Sequence, residues 1–212
     1  MENFSLTLLI IILTCITSFM AFNNAAFRGS ALFYPFAMAN RGEWYRFLTS
    51  GFIHADFLHL GVNMYVLYSF GVILEKMYLP LFFGDTANLV YVGIYFLGMI
   101  VSDIPSYIKH RRDATYRGLG ASGAVAAVLF ATILIGPFNG EIGLLFIPGL
   151  GIPPIVFGIL YLFYSAYMGR AGRDNINHDA HFYGAVFGFI FPGIFKPELF
   201  LFLIEQIKFQ LA

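Results

Sequence analysis

Six apolar runs, each close to the roughly 20 residues that a helix needs to cross a lipid bilayer, restrict this chain to one broad class of fold. They predict helical spans over residues 6–22, 53–74, 88–104, 120–136, 152–168 and 180–195. Only 11% of the 212 residues are charged, against roughly 25% in ordinary soluble domains, so a water-facing surface cannot be built from this chain. We therefore predict an all-α, polytopic membrane protein of six transmembrane helices, forming a single integral membrane domain over residues 1–212.

The two ends of the chain carry weaker signals. The leader MENFS lacks the positive charge that is typical of a signal peptide, so we expect the first run to be a retained helix. Residues 197–211 alternate charge with apolar residues at helical spacing, which predicts an amphipathic helix lying along the membrane surface. We interpret Pro148 to Pro154 as a helix start or a re-entrant bend.

Composition also limits the partners. The net charge is zero and no basic block with interleaved aromatic residues occurs, which argues against a nucleic-acid partner and leaves membrane lipid and membrane proteins. Cys15 is the single cysteine, so no disulfide can form within the chain.

Polar residues collect where three of the spans begin. The second span opens with HADFLHLGVNM, the fourth with GASG and the sixth with NHDAHFYGAVFG. Even-numbered spans run in the same direction, so these beginnings share one face of the membrane, and polar groups at such depth usually mark function. The residues gathered there are His54, His59, Asn63, Ser122, His178 and His181.

These residue types together fit acyl transfer. A serine hydroxyl needs a base to become a nucleophile, and imidazole titrates near neutral pH, so Ser122 and His181 suit those two roles. His59 and Asn63 lie four residues apart on one face of a helix and can donate to an oxyanion, together with the backbone amide of Ser122 at a helix start. Taken alone, Ser122 would more simply be a packing serine.

Glycines would let the two helices approach each other. Gly184 and Gly188 form a GxxxG pattern one turn beyond His181, and Gly120 and Gly123 flank the serine. Small residues at these positions allow close contact between helix backbones.

The three motifs resemble those of the rhomboid family of intramembrane serine proteases. HADFLHLGVN is similar to the family pattern HxxxxHxxxN, GASG to GxSG, and AHFYGAVFG to AHxxGxxxG. The resemblance implies a six-helix rhomboid-like bundle with Ser122 as nucleophile, His181 as its base, and His59 and Asn63 at the oxyanion site. It further implies no cofactor and no metal, transmembrane segments of other proteins as substrates, and residence in the bacterial inner membrane.

Two departures from the family pattern affect the expected site. The Trp-Arg pair of the first loop becomes Tyr45-Arg46 with Trp44 before it. Four residues after the serine, where the family commonly has an aromatic ring beneath the catalytic imidazole, stands Ala126. Because a ring-sized void is costly, we expect another ring to fill this space, and the candidates are Tyr65, Tyr68 and Phe182.

The remaining polar residues receive supporting roles. We interpret His54 as a support of the catalytic groups, and His178 as either a residue that orders loop or substrate or a simple interfacial histidine. Asp179 lies two residues before His181, roughly 200° away around a helix, which favours a dyad over a triad. Glu75, near the far end of the second span, is interpreted as a structural hydrogen-bonding group.

Other functions and the orientation stay open. A zinc site built from the histidines is disfavoured because HADFLH is not HExxH. A proteolytically inactive rhomboid-like module for membrane binding or chaperoning is the alternative to the protease.

The orientation in the membrane is predicted differently by two arguments. Most of the 12 lysines and arginines lie on the serine side, so the positive-inside rule predicts a cytoplasmic serine. The resemblance implies an external serine, and we follow the resemblance. Substrate sequence and oligomeric state are not predicted.

Overall fold

A computed structural model describes residues 5–143, 149, 151–172 and 176–212. Within them the chain forms α-helices, short 3₁₀ and π-helical turns and a two-stranded hairpin, as expected of an all-α membrane protein. The helices are α1 (Leu6–Asn23), α2 (Ala25–Ala31), α3 (Pro35–Arg41), α4 (Arg46–Thr49), α5 (Phe57–Ile73), α6 (Leu79–Phe83), α7 (Ala87–His110), α8 (Ser122–Ile135), α9 (Pro154–Ala171), α10 (His178–Phe195) and α11 (Glu198–Leu211). Strands β1 (Ile142–Gly143) and β2 (Gly151–Ile152) pair antiparallel between α8 and α9.

Six of these helices, α1, α5, α7, α8, α9 and α10, correspond to the six predicted spans, and the all-α polytopic fold is confirmed. Judged only by length and hydropathy, α1 qualifies as a span with a mean hydropathy of 2.1, as does the helical stretch Phe57–His110 with 1.6. Helices α10 and α11 pass the same test together but are bent by 113°. The C-terminal helix therefore turns sharply away from α10, and its place at the membrane surface stays a prediction.

Local capping explains where the helices begin. The Asp56 carboxylate accepts a hydrogen bond from the His59 amide at 2.8 Å and starts α5 at Phe57. The predicted span began at residue 53, so His54 lies in the loop before α5 and not in its first turn, which corrects the sequence-based placement. Helix α9 starts at Pro154, a favoured first position. Pro148 lies outside the described residues.

Helix α8 forms the centre of the bundle. Every residue of this 14-residue helix after Ser122 is buried. It packs against α5, α7, α9 and α10, which surround it. A helix that is apolar all round belongs in such a position. Ser122 therefore stands at the open end of an otherwise buried helix.

Candidate active site

Helices α8 and α10 approach so closely that a side chain does not fit between them. A β-carbon at Gly184 would collide with the carbonyl group of Gly123, and one at Gly188 would collide with the backbone of α8 one turn further along. Ser122 directly precedes Gly123, and His181 lies one turn before Gly184. The glycines thus bring the start of α8 against the helix that carries His181, as the GxxxG spacing predicts.

Ser122 follows a tight turn. Gly120 has a φ of 113°, a conformation that favours glycine. A β-carbon there would also lie 2.7 Å from Cε1 of His59, so the His59 ring packs directly on this turn. The structure therefore brings His59 beside the serine loop at the N-terminus of α8, where the first backbone amides point outward.

His54 joins three segments of the chain. Its ring is fully buried, and its Nε2 accepts a hydrogen bond from the Ala121 amide at 3.4 Å. The other nitrogen, Nδ1, lies 3.0 Å from the hydroxyl of Ser18 on α1, so a neutral ring carries its proton there and donates it to Ser18. The His54 ring meets that of His59 edge to face at 4.9 Å between centroids. His54 thus supports both the serine loop and His59.

Asn63 is buried and faces the same region as His59. Its side-chain amide donates to the carbonyl oxygen of His59, one turn earlier, at 2.8 Å. An amide nitrogen carries two hydrogens, so this bond orients the group while leaving a second donor.

The start of α10 is tied to α7 by a polar network. The Asn177 side chain accepts bonds from the Ala180 amide at 3.2 Å and from the Ser106 hydroxyl at 3.0 Å. Its nitrogen donates to the Asp103 carboxylate at 3.4 Å. Sequence reasoning missed this network, although a carboxylate at position 103 inside an apolar run was a usable signal.

Aromatic rings from α9 contact both histidines of α10. Tyr161 stacks on His181 with 6.2 Å between ring centroids and 23° between planes. Tyr164 meets His178 edge to face at 5.5 Å. His178 and His181 are themselves 5.8 Å apart. The tyrosines follow the helical i, i+3 spacing, so one face of α9 covers the imidazoles.

The ring near Ala126 is therefore not one of the three candidates predicted from the sequence. Tyr65 and Tyr68 are 65% and 54% exposed. Phe182 contacts the neighbouring ring of Tyr183. Ala126 is buried in an apolar cluster against which Tyr161 packs, together with the rings of Phe70, Phe157 and Phe189. Sequence reasoning considered rings on the second and sixth spans and overlooked the fifth.

Asp179 and Arg46, two charged residues considered from the sequence, bind to other parts of the chain. The carboxylate of Asp179 is 3.8 Å from Lys109 on α7. Arg46 is buried in the first loop and donates to the carbonyls of Gly29 and Leu32 and to the Glu43 carboxylate. That arginine anchors the loop, as the Tyr45-Arg46 pair suggests.

Within residues 5–143, 149, 151–172 and 176–212, no three His, Cys, Asp or Glu side chains are grouped so that they could hold a metal ion.

Comparison with known proteins gives one consistent result. A family model described as the rhomboid domain matches residues 41–198. Rhomboid protease GluP of Bacillus subtilis (strain 168) is 30% identical over 149 residues, which cover 70% of this chain and 25% of that protein. The putative rhomboid protease YdcA of the same organism is 30% identical over 182 residues, covering 82% and 77%. RHOMBOID-like protein 12, mitochondrial, of Arabidopsis thaliana is 30% identical over 151 residues, covering 68% and 44%. The chain thus spans about a quarter of GluP and less than half of the Arabidopsis protein.

Proposed function

The chain belongs to the rhomboid family, and we propose that it is an intramembrane serine endopeptidase that cuts transmembrane segments of other membrane proteins. Ser122 is the nucleophile, His181 is its base, and His59, Asn63 and the Ser122 amide stabilise the oxyanion. The bacterial inner membrane is its proposed location. No cofactor takes part in this scheme.

The proposed reaction begins when His181 takes the proton of the Ser122 hydroxyl as its oxygen attacks the scissile carbonyl carbon. The carbonyl oxygen becomes an oxyanion, which accepts hydrogen bonds from His59, Asn63 and the backbone amide. The carbon–nitrogen bond then breaks, and His181 gives its proton to the leaving amine. A water molecule, deprotonated by the same imidazole, hydrolyses the acyl-enzyme and frees the serine.

The observation that carries this proposal is the glycine contact between α8 and α10. It holds the serine of GASG against the helix that carries the imidazole of AHFYG. A serine that serves only for packing does not require an imidazole on the neighbouring helix. It also does not require a polar ring, that of His59, against Gly120. The inactive rhomboid-like module is less favoured because this chain keeps both Ser122 and His181.

The test uses the purified protein in detergent with a synthetic transmembrane peptide, and the products are weighed by mass spectrometry. Cleavage should fall by roughly 10⁴-fold or more in Ser122→Ala and in His181→Ala, and the double variant should be scarcely worse because the pair acts as a unit. Circular dichroism and a thermal melt check that each variant is folded. A wild-type rate in a folded single variant would rule out the dyad.

A further inference from the structure

The imidazole of His181 is bordered by a ring from a different helix from the one that carries the serine. Position 126, one turn after Ser122 on α8, holds a methyl group and no ring. Tyr161, near the middle of α9, lies against His181 with the two planes only 23° apart. Such a nearly parallel, offset contact is a favourable arrangement for two aromatic rings.

The Tyr161 ring is itself held from other sides. It contacts the ring of Phe130 on α8 at 5.6 Å and that of Phe157, one turn earlier on α9, at 5.8 Å. It also packs against the buried cluster that contains Ala126. A ring fixed by these neighbours restricts the rotation of whatever stacks on it, because tilting the imidazole would push it into an immobile surface.

We propose that Tyr161 is a positioning residue for His181, fixing the imidazole in the orientation from which it takes the serine proton. The role rests on the proposed function, since it concerns the orientation of the base. Tyr161 reaches no reacting atom and acts only through His181. The small side chain of Ala126 and the ring of Tyr161 then depend on each other, because rings at both positions would overfill the space.

Under this proposal, the position of α9 determines the orientation of the His181 imidazole. Helix α9 packs against α8 and α10, while much of its remaining surface is exposed, including Leu160 at 57% and Phe163 at 73%. A displacement of α9 away from α10 would remove the stacked ring from His181 without moving the serine. The orientation of the base is therefore tied to a helix at the edge of the bundle.

The first experiment compares ring-keeping and ring-removing variants. Tyr161→Phe should keep kcat within about threefold, because the stacked surface remains. Tyr161→Leu should lower kcat by about 10- to 100-fold with little change in KM, the scale expected when a catalytic group is misplaced by about 1 Å. Tyr167→Leu, on the same helix and 59% exposed, is the matched control and should leave kcat unchanged.

The second experiment moves the ring to the other helix. Ala126→Tyr alone should lower the melting temperature and kcat, because Tyr161 already fills the space. Combined with Tyr161→Ala, it should restore kcat to within about tenfold of wild type, since the ring then approaches the imidazole from α8. If Tyr161 is merely structural, kcat should recover only as far as folded protein is recovered, and circular dichroism with a thermal melt measures that folded fraction.

The outcomes separate the two proposals. Wild-type kcat in folded Tyr161→Leu, or an equal loss in Tyr161→Phe, overturns the positioning role while leaving the dyad intact, provided that Ser122→Ala is inactive. Wild-type cleavage by folded Ser122→Ala overturns the proposed function instead. A loss in Tyr161→Leu that only follows the fraction of folded protein also overturns the positioning role.

Discussion

Two polar clusters lie near opposite ends of α5 and differ in how they are bonded. At the far end, the carboxylate of Glu75, with a side chain only 1% exposed, accepts bonds from the Ser5 hydroxyl, the Leu6 and Thr7 amides and the Thr7 hydroxyl at 2.7 to 2.9 Å. Lys76 lies 2.8 Å away. This carboxylate caps the N-terminus of α1 from another helix, and its bonds are all made within the protein.

The cluster at the near end is arranged differently. Its residues come from the starts of α5, α8 and α10, and glycines keep the space around them narrow. Asn63 keeps a second amide hydrogen, and the serine stands at the open end of α8. A saturated cluster stabilises the contact between helices, whereas donors left over after folding can serve a reaction. The difference separates a structural use of polar groups at the far end from the catalytic use that we propose for the near end.

The sharpest way to break the near cluster is to fill the helix contact. Gly184→Ala would place a β-carbon against the Gly123 carbonyl, which is backbone and cannot turn aside. We expect cleavage to fall by at least about 100-fold, because a displacement of about 1 Å between serine and imidazole has that effect. Gly61→Ala on α5, where a β-carbon meets open space, is the matched control and should keep full activity. Equal activity of the two variants would show that the close contact is unnecessary.

The two side chains proposed to donate to the oxyanion are tested by removing them one at a time. His59→Ala and Asn63→Ala should each lower kcat by roughly 10- to 1,000-fold, the range for losing one oxyanion donor. Steady-state kinetics should show a smaller change in KM. A raised KM at constant kcat would assign these side chains to substrate binding.

In the far cluster, a substitution should lower stability and leave the cleavage rate of the folded protein unchanged. Glu75→Gln keeps the shape but loses the charge and replaces an acceptor oxygen by a donor, so we expect about 2 to 4 kcal/mol less stability. Unfolding in a mixed detergent series measures this loss. Activity per folded molecule should stay at the wild-type level, and a large fall in kcat in the folded fraction would contradict the structural role.

The smallest effect is expected at the bond that joins α1 to the near cluster. Ser18→Ala removes the hydroxyl beside Nδ1 of His54 and leaves that buried nitrogen without its partner. We expect about 1 to 2 kcal/mol less stability and a change in cleavage of less than tenfold. Ser30→Ala is the control, because its exposed hydroxyl donates to the Phe27 carbonyl within its own helix. Indistinguishable melting temperatures would mean that the His54 bond carries little free energy.

Hydropathy predicted the helices well because a membrane span needs an unbroken apolar run. Helix α1 begins at Leu6 as predicted, and α10 ends at Phe195. Errors arose where a polar cap decides the boundary, as at Asp56, which shortens α5 and leaves His54 in a loop. The short helices within the first loop were not predicted, because hydropathy says little about loops outside the membrane.

Within the site, spacing along one helix was readable and contact between helices was not. The i, i+4 pair of His59 and Asn63 and the opposed glycines followed from periodicity alone. The partner of Ala126 depends on how α9 is rotated about its axis, and a nearly uniform apolar sequence does not specify that rotation. Tyr161 could therefore be found only in three dimensions.

The shortness of α8 has a consequence for where water meets this protein. Fourteen residues extend about 21 Å, less than the roughly 30 Å of a hydrocarbon layer. Hydrophobic mismatch normally penalises such a helix, but α8 is encased by its neighbours and has no lipid to match. The helix leaves about 9 Å of that layer uncovered, so Ser122 can lie below the membrane surface, where the proposed hydrolysis requires water to reach it. Inserting a single turn directly after Ser122 would lift the hydroxyl by about 5 Å toward that surface.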